Sequence, residues 1–475
     1  ITPMSSNLSS AILSKDGEKL YFTAAFEDDY DLWQVNVREH DTKIISKKIG
    51  PSNLYLTKDG KTLYALGRSC KKINTASNSA TPLSYKATMF LNVAAEREAM
   101  FNHMFVQQEK RFYNSNYHGV DLKQLRKDYL PFLPYINNNF DYSEMLSEIL
   151  GELNVSHTGS GYRPMTPANA DITADFGLFY DQKYKGDGLK VAEVIQYGPF
   201  DTEHSKVEKG CIIEKIDGIE IKAGEDFYPL LNRKAGQKVL VSVYNPETKA
   251  RWDEVVKPVT QGVISELLYH RWIKSRAEAT KQLSGGRLGY VHIRSMADGS
   301  YREVYSDILG RYNECEGIVI DTRYNGGGRL HEDIEILFSG EKYLEQTTQG
   351  RKNCDMPSRR YNKKSIMLVV ESNYSNAHGT PWVYRYKKMG SIVGMPVPGT
   401  MTSVNWETMQ DPTLYFGIPI IGYLTKEGYY LENTQLEPDI LIDNDPNSVV
   451  NGEDKQLEAA VKELLRQIDE DKDNW

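Results

Sequence analysis

The chain has 475 residues, with 57 Lys and Arg against 65 Asp and Glu and a net charge of −8. That length accommodates about three domains, each able to bury a core, and a hydrophobic share of 40% makes the chain globular rather than disordered. A mildly acidic balance without a Lys/Arg block excludes a general nucleic-acid binder, which needs a basic stripe. Apolar runs such as 365–370 fall far below the roughly 18 residues that span a bilayer, so no membrane partner is implied.

The first repeat lies near the start. Ser-Lys-Asp-Gly-Glu-Lys-Leu-Tyr-Phe at 14–22 recurs as Thr-Lys-Asp-Gly-Lys-Thr-Leu-Tyr-Ala at 57–65, a period of 43 residues that belongs to four-stranded propeller blades. Asp16-Gly17 and Asp59-Gly60 supply the positive φ of tight hairpins. Two units cannot close a propeller, so residues 1–75 are expected to be a partial β-propeller, the alternative being two unrelated hairpins. The chain starts at Ile1 without Met or a charged-then-apolar leader, which suggests a processed product or a piece of something longer.

Apolar residues at Val93, Met100, Phe101, Met104 and Phe105 predict an amphipathic helix over 91–112, and Asp121 and Asp141 read as N-caps of two shorter helices. This helical segment, 83–165, runs into the turn Asn-Val-Ser-His-Thr-Gly at 154–159. From 166 to 262 short strands predict a small β-rich module. Its stretch 207–221 resembles the central strand and Asp-Gly turn of PDZ domains, which would make 176–178 a carboxylate-binding loop. Beyond a helix near 264–268, continuous Val/Ile/Leu runs at 289–293, 317–321, 366–370 and 392–394 predict strands covered on both faces, hence an α/β core over 263–475. The fold class is therefore multidomain α/β and β. Cys70, Cys211, Cys315 and Cys354 show no metal-ligand or disulfide spacing, so neither a metal nor another cofactor is expected.

Chemistry in an α/β sheet gathers at the carboxyl ends of its strands. Two loops stand out there. Asp-Thr-Arg-Tyr-Asn-Gly-Gly-Gly at 321–328 brings backbone N–H groups close to a substrate, and no Gly-Lys-Ser/Thr follows to make it a nucleotide site. Glu-Ser-Asn-Tyr-Ser-Asn-Ala-His-Gly at 371–379 follows a strand as a nucleophile elbow would, without the GxSxG pattern; alone, Ser375 reads equally as a helix N-cap.

These two motifs, followed by Glu432-Asn433 ahead of Glu-Pro-Asp-Ile at 437–440, resemble the tricorn protease family, the propeller-bearing branch of the tail-specific serine peptidases. The order of propeller, helical segment, PDZ domain and α/β core matches from end to end, as the C-terminal portion with a partial propeller. The resemblance implies a serine peptidase acting on oligopeptides or unfolded polypeptides, with Ser375 as nucleophile, His157 as general base, and Glu432 acting through the Ser156 hydroxyl to orient the imidazole. It implies an oxyanion hole from the amides of Gly327 and Asn376, with the choice among Gly326, Gly327 and Gly328 open. His378 is a local rival for the base. Family members that prefer basic substrates carry an acid directly after the nucleophile, so neutral Asn376 implies a weak preference for Lys or Arg there. The resemblance also implies a homo-oligomer, a ring in the family, and a cytoplasmic protein, or a periplasmic one if a leader was removed. The rival function is a catalytically inactive peptide-binding scaffold using the PDZ-like and propeller surfaces.

Overall fold

The 43-residue repeat folds as two four-stranded antiparallel sheets in the computed structural model, which describes residues 6–26 and 29–473; the start at Ile1 lies outside the described residues. Each repeat builds the same turn. Asp16 Oδ1 accepts from Ser14 Oγ (2.6 Å) and the Glu18 amide (3.1 Å), and Asp59 Oδ1 accepts from Thr57 Oγ1 (2.7 Å) and the Lys61 amide (3.0 Å). Gly17 and Gly60 both sit at φ 74°, a left-handed conformation open to glycine without penalty. The last strand, Ala80–Pro82, runs past residue 75, and this unit closes at Asn92.

The second unit, Val93–Trp475, begins with the helix Val93–Arg111. Asp121 caps the helix Leu122–Tyr129 by accepting from the amides of Lys123 and Gln124. The reading of Asp141 as a cap is corrected. The helix Asn139–Gly151 starts earlier, at an Asn138 cap that accepts from the Asp141 amide, and Asp141 lies in its first turn, where its charge complements the helix dipole.

The β-rich region expected over 166–262 is an antiparallel sheet ordered Leu178–Tyr180, Leu189–Val194, Ile212–Ile216, Val239–Tyr244, Arg251–Val256. Asp217 (φ 49°) and Gly218 (φ 81°) turn the short hairpin off its central strand. In the loop at 176–178 the Gly177 N–H donates to Asp175 Oδ1 (2.6 Å).

In the α/β core five parallel strands are ordered Leu288–His292, Gly317–Asp321, Lys364–Val369, Gly390–Gly394, Ile440–Leu441. Side chains alternate across the sheet as its pleat requires. Ile318, Ile320, Met367 and Val369 pack with Ile334, Leu337 and Tyr384 on one face. Val319, Ile366 and Leu368 pack with Leu457, Val461 and Leu464 of the C-terminal helix on the other. Both faces are covered, which is why these strands read as unbroken apolar runs.

One small sheet joins the ends of this unit. The strand Ser160–Tyr162 pairs with Leu414–Gly422, itself paired with Thr402–Thr408. Leu414, Phe416 and Ile418 share a core with Phe101, Phe105, Leu146 and Leu150. The helical segment is thereby fastened to the chain that follows the nucleophile loop.

Candidate active site

The glycine loop and the nucleophile loop leave neighbouring parallel strands, in register at Asp321 and Leu368. Thr322 ties them, donating from N (3.0 Å) and Oγ1 (2.8 Å) to Leu368 O. Arg323, from the glycine-loop motif, turns away from solvent. It is 1% exposed and ion-paired to Asp321 and Asp454 at 2.6 and 2.9 Å, so it serves the scaffold.

Ser375 precedes the helix Asn376–Tyr386 at φ 59°, ψ −124°, a conformation that costs a non-glycine residue about 1–3 kcal/mol and persists only where the surroundings impose it. They do so here. The Ser375 amide donates to Thr400 Oγ1 (2.9 Å), and its carbonyl accepts from the His378 amide (2.8 Å). The elbow therefore aims Oγ without using it, and among the described residues Oγ has no hydrogen-bond partner.

Glycine is required at 327 for contact rather than flexibility alone. A Cβ there would stand 2.6 Å from Ser375 Cβ and 2.8 Å from Tyr374 O, at φ 98°. Gly327→Ala is expected to displace the nucleophile and lower kcat/KM by about 10²-fold, the scale of a 1 Å misplacement, with the circular dichroism spectrum unchanged. Wild-type kcat/KM in this variant would show that the contact is slack.

The Gly327 amide, expected in the oxyanion hole, already has a partner within its own loop. Its N–H donates to Asn325 Oδ1 (2.8 Å), and Asn325 Nδ2 is anchored on Ile293 O (2.6 Å). Among the described residues, no protein group accepts from the N–H groups of Gly326, Gly328 or Asn376. The Asn376 amide opens the helix that follows the nucleophile, where the dipole favours negative charge.

The Asn376 side chain, expected to bear on specificity, is buried. It is 3% exposed. Oδ1 accepts from the amides of Leu330 (2.9 Å) and His331 (3.0 Å), and Nδ2 donates to His331 Nδ1 (2.7 Å). The side chain is turned inward because the helix His331–Phe338 has its first amides unpaired and Asn376 satisfies two of them. Asn376→Asp is therefore expected to leave the cleavage profile of a peptide library unchanged; a shift toward Lys and Arg would show that the position faces substrate.

The distant residues come together as a chain of hydrogen bonds. Glu432, 5% exposed, accepts from the Ser156 amide (2.5 Å, Oε1) and from Ser156 Oγ (2.9 Å, Oε2). Ser156 Oγ lies 2.8 Å from His157 Nδ1. The His157 amide donates to Tyr374 Oη (2.7 Å), and the ring lies on the Tyr374 ring, centroids 4.7 Å apart, so the imidazole sits against the residue next to Ser375. No hydrogen bond joins Ser375 Oγ to His157, a looseness common where no substrate is bound. Burial pushes the His157 imidazole down to about 4, and burial raises the Glu432 carboxyl against the two hydrogen bonds from Ser156. His378 is fully buried, and burial lowers its imidazole to about 4 against a hydrogen bond with the Thr434 backbone.

Tyr374, Asn325, Thr400 and Thr402 were not singled out from the sequence. Tyr374 and Asn325 lay inside motifs already noticed, whereas the two threonines carried no local signal. No group of acidic, His or Cys side chains among the described residues is arranged to hold a metal ion, and no described helix is long and apolar enough to cross a membrane.

The structure thus sets Ser375 at a strained strand-to-helix elbow of a parallel α/β sheet, with the His157 ring against the neighbouring Tyr374. The model of peptidase family S41 matches residues 287–442, and that of the tricorn protease C1 domain matches 93–151. A putative tricorn-like protease C-terminal subunit of Sulfurisphaera tokodaii is 23% identical over 456 residues, 93% of this chain and 51% of the relative. The tricorn protease of Thermoplasma acidophilum is 23% identical over 368 residues, 73% of this chain and 32% of the relative. A crystal structure of the tricorn protease superposes with a TM-score of 0.78 at 18% identity, covering 95% of this chain and 46% of that one. The chain is thus similar to tricorn proteases in sequence and in fold, and it spans about a third to a half of the length of these relatives.

Proposed function

We propose that the chain is a serine peptidase that hydrolyses peptide bonds of oligopeptides through a Ser375–His157–Ser156–Glu432 tetrad. The observation that carries the reading is the continuous path from Glu432 Oε2 through Ser156 Oγ to His157 Nδ1, at 2.9 and 2.8 Å. With the Ser156 proton donated to the carboxylate, Ser156 Oγ accepts from Nδ1–H, and Nε2 is left as the base. It takes the proton of Ser375 as Oγ attacks the carbonyl carbon, then passes it to the leaving amine as the C–N bond breaks. Water completes the cycle by the same proton route. The Asn376 amide, with Gly328 from the glycine loop, holds the tetrahedral oxyanion.

Residues 83–165 in this reading bring the base, 263–475 the nucleophile, and 166–262 the PDZ-like module between them, while the propeller-like sheets and a homo-oligomeric assembly bear on which peptides arrive. Labelling by a fluorophosphonate probe separates the enzyme from an inactive scaffold. Covalent modification at Ser375 together with oligopeptide hydrolysis is expected, and a chain that binds peptides without either would be the scaffold.

The pH profile follows from burial. The base works as neutral imidazole, and burial lowers its pKa from 6.5 to about 4, so kcat/KM should hold level from neutral pH through 6.5 and fall only as the pH approaches about 4. An acid limb centred near 6.5 would place His157 in solvent or remove it from the reaction.

A further inference from the structure

Ser156 neighbours His157 in the chain, so their contact orients the imidazole locally without setting its distance from Ser375, about 220 residues away. One short segment touches both. Thr402 Oγ1 lies 3.1 Å from His157 Nδ1 and 3.1 Å from Ser156 Oγ, and two residues earlier Thr400 Oγ1 accepts from the Ser375 amide at 2.9 Å. Met401, between them, packs on the nucleophile helix: a Cβ at Gly379 would stand 2.6 Å from Met401 Cε. Gly399 completes the run, its carbonyl accepting from the Asn433 amide (2.8 Å) beside Glu432, and a Cβ there would meet the Thr434 amide at 2.1 Å. Residues 399–402 thus contact the carboxylate's turn, the nucleophile's amide, the nucleophile's helix and the base.

We infer that Thr400 and Thr402 are paired positioning residues, whose hydroxyls, two positions apart in one short segment, set the separation of nucleophile and base. The inference rests on the tetrad reading above. Thr402 is 2% exposed, and β-branching restricts χ1 of both side chains, so each hydroxyl has a defined direction. Neither touches substrate. Their effect passes through the Ser375 amide and the His157 ring.

The test uses the full chain with Thr400→Val, Thr402→Val and the corresponding Ser variants. Each Val variant is expected to lower kcat about 10- to 100-fold, the range a sub-ångström to 1 Å misplacement produces, with KM within about threefold of wild type because no substrate contact is lost. The Ser variants, which keep the hydroxyl, should recover most of the rate. Hydrogen–deuterium exchange gives a readout that needs no catalysis. Thr400→Val should release protection of the peptide containing the Ser375 amide, and Thr402→Val that of the peptide spanning 153–160. Val variants with wild-type kcat and exchange overturn the inference, as does a rate loss that the Ser variants share, since that would trace to packing and not to the hydroxyls. If wild type is neither labelled nor active, yet exchange changes as expected, the tetrad reading falls and the alignment stands.

Discussion

Replacing Ser375 by alanine is expected to abolish peptide hydrolysis, a loss on the order of 10⁴-fold or more, while the fold and the thermal midpoint stay close to wild type. Oγ carries no structural hydrogen bond among the described residues, whereas the elbow is held by its backbone: the amide on Thr400 Oγ1 and the carbonyl under the His378 amide. Alanine keeps Cβ, so the contact with Gly327 and the backbone geometry at φ 59° are both preserved. What disappears is the oxygen proposed to attack the carbonyl. Loss of hydrolysis and of fluorophosphonate labelling together, with unchanged circular dichroism, is the expected pattern; undiminished hydrolysis would sink the assignment of the nucleophile.

Glu432→Gln should lower kcat by about 10² to 10⁴-fold and change KM little. The carboxylate accepts twice from Ser156, at N (2.5 Å) and at Oγ (2.9 Å), and an amide can accept with one arm only. If its oxygen takes the Ser156 amide, its NH₂ donates to Ser156 Oγ, whose own proton then turns toward His157 Nδ1 or Thr402 Oγ1. In the first case the imidazole is held as the Nε2–H tautomer, which cannot accept the proton of Ser375, and in both the negative charge that stabilises the imidazolium is gone. Substrate binding is spared because Glu432 is buried against residue 156. An unchanged kcat would reduce Glu432 to a structural acid. Retained kcat with weakened KM would move it to the substrate's side of the site.

The α/β strands were legible because burial on both faces demands uninterrupted Val, Ile and Leu: the run at 317–321 coincides with the strand Gly317–Asp321, and that at 392–394 ends with Gly390–Gly394. The Asp-Gly turns were legible because few residues tolerate their positive φ. The cap of the helix Asn139–Gly151 was misassigned because Asn138 and Asp141 are both competent acceptors, and which one leads depends on where the chain bends into the helix. Ser375, His157, Ser156 and Glu432 were each unremarkable alone. A serine before a helix, a histidine in a turn and an acid in a loop recur in most chains, and only their order along the chain, shared with a family, singled them out.

The amino-acid sequence by itself determined which loops leave the sheet where chemistry gathers, that a glycine-rich backbone lies beside a serine elbow, and that a Ser-His pair lies far upstream in a helical segment. Those features follow from local chemistry: apolar runs, turn formers, and residues with or without a Cβ. Only the tertiary structure decided which atoms meet. The pairing of Ser160–Tyr162 with Leu414–Gly422 carries His157 to the Tyr374 ring and Ser156 to Glu432. The same packing turns the Asn376 side chain inward to the helix at His331, closes the Gly327 amide onto Asn325, and sets Thr400 and Thr402 against the nucleophile's amide and the base. A side chain's direction is fixed by the neighbours that exclude it from other space, and here those neighbours lie about 25 to 280 positions away along the chain or, for Asn325, in the tight curl of the glycine loop, beyond the reach of any local pattern.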